Sequence, residues 1–107
     1  MNDMNRLVVQ LPIDSDTDFD SLLHVEETLS RAFGLEGHAQ VDGHEIGEGR
    51  FNILIRAPDP SDPALARITQ LLEGLGVLPA SVVASFRPAS DSYEVVYPAG
   101  YTGEFVL

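Results

Sequence analysis

The stretch Arg50-Phe51-Asn52-Ile53-Leu54-Ile55-Arg56 alternates so regularly that it constrains the fold more than any other part of the chain. Successive side chains of an extended strand point to opposite faces. Phe51, Ile53 and Ile55 therefore form one row, and Arg50, Asn52, Leu54 and Arg56 the other. The apolar row is expected to meet a core, and Asn52 and Arg56 to stay at least partly accessible. Upstream, Ala39, Val41 and Gly43 alternate with His38, Gln40, Asp42 and His44. Between the arms lies Gly47-Glu48-Gly49, whose glycines can take the positive φ that a tight loop demands. Residues 38–56 thus read as a β-hairpin. A two-residue loop would set Gln40 and Asp42 beside the Phe51 row. Burying unpaired polar groups is costly, so a three-residue loop is expected, pairing Ile46 with Arg50, His44 with Asn52 and Gln40 with Arg56.

The remaining elements follow from period and punctuation. Arg6 to Leu11 reads as a first strand with Leu7, Val9 and Leu11 inward and Arg6, Val8 and Gln10 outward, and Pro12 ends it. Thr17 or Asp16 is positioned to cap a helix that runs to about Phe33, with Leu22, Val25, Leu29 and Ala32 as its stripe and Gly34 as its C-terminal stop. After a Pro-rich loop over 57–63, Asp62-Pro63 opens a second helix striped by Leu65, Ile68, Leu72 and Leu75. Val82–Arg87 makes a fourth strand, expected to turn Val82, Ala84 and Phe86 inward and Val83, Ser85 and Arg87 outward. Ser92–Tyr97 makes a fifth. Residues 1–5 are expected to fray, and the tail from Pro98 is expected to add a short extended segment through Glu104-Phe105-Val106-Leu107.

The order β-α-β-β-α-β with an added strand is that of a split βαβ, ferredoxin-like sandwich. It predicts one α+β domain over 1–107, an antiparallel sheet, and both helices on one face, because the crossovers are right-handed. The length and the 44% hydrophobic content suit a domain that needs no staples. No cysteine is present, which excludes a disulfide framework, a thiolate zinc site and a cysteine nucleophile. The N-terminus lacks the layout of a signal peptide and no apolar run approaches a membrane span, so a cytoplasmic protein is expected.

Six arginines and seventeen acidic residues leave a net charge of −11, which repels nucleic acid and anionic membrane and favours basic partners. Against that background, four of the six arginines, Arg6, Arg50, Arg56 and Arg87, are expected on the sheet face away from the helices, with Asn52 and Gln40 among them. Arginine pairs carboxylates and phosphates bidentately, so this face is expected to bind a small anion or an acidic group of a partner. Val8, Leu54 and Val83 are apolar positions expected on the same face, and such a patch predicts a homodimer.

His38, Asp42 and His44 share a face, but His38 and His44 would lie roughly 20 Å apart along one strand, too far for a common ion. No metal or cofactor is expected. Nothing flags a nucleophile, so His44 and His38 are the only candidates for acid–base work. The string Val41-Asp42-Gly43-His44-Glu45-Ile46-Gly47-Glu48-Gly49, followed by Phe51-Asn52-Ile53 and an Asp-Pro loop, resembles a hairpin of small uncharacterised bacterial proteins. The resemblance implies no activity. In architecture the strand order is similar to ACT-type ligand-binding domains and to dimeric α+β-barrel enzymes, and fold alone confers neither function. Three readings stand: a non-catalytic binding module using the open sheet face, a small α+β-barrel-type enzyme with a histidine acid–base group, and an acidic immunity protein that masks a basic toxin.

Overall fold

Strand β1 (Asn5–Pro12) occupies the middle of a five-stranded antiparallel sheet and is flanked by β3 (Arg50–Ala57) and β4 (Val82–Arg87). Beyond them lie β2 (Gln40–Gly47) and β5 (Ser92–Tyr97), giving the order β2-β3-β1-β4-β5. Helix α1 (Phe19–Glu36) links β1 to β2, and α2 (Asp62–Gly74), with a short 3-10 turn at Leu78–Ala80, links β3 to β4. This is a computed structural model, and it describes residues 5–14, 18–37, 39–47, 49–57, 62–87, 91–101 and 105. The chain is α+β, and both helices share one core with the sheet. Leu7, Val9, Leu11, Phe51, Ile53 and Ile55 meet Leu22, Val25, Leu29 and Phe33 of α1 and Ala64, Ile68 and Leu72 of α2. Residues 58–61 of the Pro-rich loop and the tail residues 102–104 and 106–107 lie outside the described residues.

Helix α1 starts and stops later than expected. Asp18, in extended conformation, accepts from the backbone N–H of Asp20 and is the N-cap. At the other end Gly37, at φ 76°, donates its N–H to Phe33 O at 2.8 Å. A left-handed C-terminal residue suits glycine, whereas Gly34 sits one turn earlier inside the helix. Phe33 lies fully in the core, and Ala32, expected in the stripe, is only half-buried.

The hairpin departs from the expected register in an instructive way. Gly47 pairs with Arg50, so the connection has two residues, and Ile46 pairs with Phe51 and His44 with Ile53. Upstream, a bulge between Val41 and Gly43 inserts one residue, after which Val41 faces Ile55 and Gln40 faces Arg56. The bulge removes the objection to a short loop: Gln40 returns to the open face without being driven into the Phe51 row. Gly43 adopts φ 124°, a conformation L side chains rarely take. The result is that His44 and Ile46 lie on the helix side of the sheet, not the open side.

Strand β4 is also turned over. Val83 pairs with Val9 and Ser85 with Leu7, so both face the helices, while Ala84 pairs with Val8. Phe86 follows Ala84 by two residues and lies on the open face beside Arg6. Val82-Val83-Ala84 is apolar on both sides, so local alternation could not choose between them. The pairing with β1 does.

Candidate functional site

The four arginines expected together are divided by the strand geometry. Arg6 and Arg56 are direct cross-strand partners on β1 and β3. Arg50 pairs with Pro12 at the other end of β3, roughly 20 Å from Arg56 at 3.3 Å per residue. It lines a separate hollow of about 220 Å³ with Gln10, Gly49 and Val82. Arg87 pairs with Ser92, and its side chain lies outside the described residues.

Arg6 and Arg56 have different surroundings. The Arg56 Nε approaches Asp42 Oδ2 at 2.7 Å, both side chains being partly exposed. Asp42 is the bulge residue of β2, so the irregularity that moves His44 also sets this carboxylate beside Arg56. The Arg6 guanidinium instead lies 4.7 Å above the centre of the Phe86 ring. Among the described residues no carboxylate pairs with it. Phe86 meets Tyr93 edge-on at 5.2 Å, and Tyr93 meets Phe105 at 5.6 Å, so a chain of rings backs this cation on the open face.

Between the two arginines opens a cavity of about 340 Å³. Val8 and Leu54, cross-strand partners, form its apolar floor, Asp42 and Glu45 stand on the β2 side, and Tyr93 stands on the β5 side. Such a site offers a planar cation fixed against a ring, a second cation already neutralised, and apolar surface beneath. It can hold an acidic head group with an attached apolar body.

The rest of the open face is less open than its polar residues suggest. Asn52, expected to be accessible, is 1% exposed, and Val8 is equally buried. Gln10 Nε2 donates to Asn52 Oδ1 at 2.9 Å, and among the described residues Asn52 Nδ2 has no acceptor. Gln40, opposite Arg56, is exposed. The expected oligomer patch is not a patch: Val8 is covered within the chain, Val83 is in the helix-side core, and Leu54 is half-buried in the cavity floor.

His44 reaches a different environment from the one its sequence position implied. Its Nδ1 lies 2.8 Å from Glu26 Oε1 of α1, and its ring stacks on Phe51 at 4.7 Å and 27°. The carboxylate fixes one ring nitrogen and leaves Nε2 as the atom able to move a proton. The described residues bring no nucleophile against it, and no group of three or more His, Asp or Glu among them is placed to hold a metal ion. The pair's evident work is to tie α1 to the edge strand. His38 lies outside the described residues. The Glu26–His44 contact was invisible in the sequence because an uninterrupted alternation sends His44 the other way.

No family model, no curated protein and no solved structure matches the chain. Among the described residues no helix is long and apolar enough to cross a membrane.

Proposed function

We propose that the chain is a non-catalytic binding module of ferredoxin-like, split βαβ architecture, with β5 added beyond β4, and that its sheet-face cavity takes a small acidic ligand. The observation that carries this reading is Arg6, a cation with no described carboxylate partner on a molecule of net charge −11. Acids outnumber cations by seventeen to six, so a paired arginine is the ordinary outcome. Holding one against Phe86 at the edge of an apolar-floored cavity keeps its donors available and its plane fixed. A charge-assisted pair there contributes about 1.5–3 kcal/mol when shielded from water. The overall negative field opposes anions at long range, but screening confines it to about 8 Å at physiological salt, so close donors decide binding.

Thermal melting with benzoate and with inorganic phosphate as probes tests the reading. An aromatic carboxylate at millimolar concentration should raise Tm. Arg6→Met should remove the rise while leaving the unliganded Tm nearly unchanged. Asp42→Asn, which frees Arg56, should enlarge it. A wild-type Tm that neither anion moves would sink the proposal.

A further inference from the structure

A second surface lies on the other side of the sheet, where the anion cavity plays no part. Phe19 and Ile46 are large apolar side chains left 41% and 56% exposed. Both rest on Phe51. The Phe19 ring meets Phe51 edge-on at 5.7 Å, Ile46 is its direct cross-strand partner, and His44 stacks on it at 4.7 Å. Phe51 itself is 0% exposed, so the three surface groups sit on a fixed base. The two-residue hairpin connection and the bulge at Asp42 bring Ile46 and His44 to this side. In an unbroken alternation with a three-residue loop they would be elsewhere.

The described charges of α1 beside this surface are acidic. Asp18 and Asp20, both exposed, flank Phe19 in the chain, and Glu26 holds His44 from α1. No lysine or arginine occurs between Asp18 and Ser30 or along β2, and the first arginine of α1, Arg31, is paired with Glu27. A second copy of this chain would set these acids against themselves, which disfavours self-association. A cationic partner gains from the same field and meets two apolar anchors within it.

We infer that the Phe19–His44–Ile46 surface docks a basic protein segment that alternates apolar side chains with arginine or lysine. The apolar groups cover Phe19 and Ile46, and the cations reach Asp18 and Asp20. The inference does not depend on the anion cavity, which is on the opposite face of the sheet.

Fluorescence anisotropy with a labelled Leu/Arg repeat peptide tests it, with Ser/Arg and Leu/Glu peptides of equal length as controls. The Leu/Arg peptide should bind, the Ser/Arg peptide should bind about tenfold more weakly, and the Leu/Glu peptide should not bind. Ile46→Thr keeps a β-branched residue on an exposed position and should weaken the Leu/Arg peptide about tenfold. Asp20→Asn leaves the Asp18 cap intact and should weaken it about threefold with a shallower salt dependence. Phe19→Ala should act like Ile46→Thr, with its melting curve recorded alongside. Arg6→Met should bind the peptide as wild type does, which separates this surface from the anion cavity. Failure of the Leu/Arg peptide to bind would overturn the inference, as would equal binding by wild type and Ile46→Thr. So would a concentrated wild-type dimer that Ile46→Thr dissociates, because a second copy would then hold the surface.

Discussion

Strand β3 presents two faces made from neighbouring residues, and their burial follows different rules. Towards the helices, Phe51, Ile53 and Ile55 are all sealed in the core. Towards the other side, Asn52 is buried, Leu54 half-buried and Arg56 exposed. The first face behaves uniformly because all three side chains join the core that the sheet shares with both helices. The second varies along the strand: half-buried at Arg50, most buried at the uncharged amide Asn52, half-buried at Leu54 and exposed at Arg56. Polarity in an alternating strand therefore reports which side a residue takes, and it does not report how much water reaches it.

The largest test of this contrast is on the helix side. Ile53→Ala should cost about 2–5 kcal/mol by chemical denaturation, because a fully buried side chain leaves a cavity that surrounding helices cannot close. Leu54→Ala, one residue away, should cost well under about 2 kcal/mol, since the removed atoms already border an opening. Equal costs would show that the two faces are packed alike.

Asn52→Ala sharpens the same comparison from the polar side. It removes the acceptor of Gln10 Nε2 in a water-poor place, and a loss of about 1–3 kcal/mol is expected. A double-mutant cycle with Gln10→Ala should return a coupling of about 0.5–1.5 kcal/mol. Purely additive losses would mean that the amide contact contributes nothing, and that burial at this point reflects packing alone.

The smallest effect is expected at Gly43, where the faces of β2 exchange. A Cβ there meets no atom within 4 Å, so only the backbone at φ 124° resists Gly43→Ala. A loss of about 1 kcal/mol is expected. The more telling measurement is the NMR ring-current shift between His44 and Phe51. If the bulge sets the orientation of His44, that shift should diminish in the variant. An unaltered shift would assign the orientation to Glu26 instead.

Much of the framework was legible in the residues themselves. The rows Phe51-Ile53-Ile55 and Leu7-Val9-Leu11 could be assigned to the core because a one-residue slip would carry each whole row to the wrong side. The stripes of both helices and the opening of α2 at Asp62-Pro63 were legible for a similar reason: period and cap chemistry are local. The candidate site was legible only in part. Arg6 and Arg56 could be placed on one face from their own strands, but the ring beneath Arg6 and the carboxylate beside Arg56 come from two other strands, β4 and β2.

The alternation and caps of this chain by themselves determined which segments become strands and helices, in what order, and which rows of β1 and β3 are apolar. Those are preferences each segment expresses through its own backbone and side chains. Tertiary structure decided the face of β4, the bulge at Asp42, the reach of His44 to Glu26 and the burial of Asn52. In each of these cases the local sequence leaves two arrangements close in free energy. Val82-Val83-Ala84 is apolar on both sides, and β2 is polar on one side and weakly apolar on the other. The balance then falls to a neighbour: Val9 draws Val83 inward, and the short connection at Gly49 forces β2 to absorb a residue before Gln40 can face Arg56.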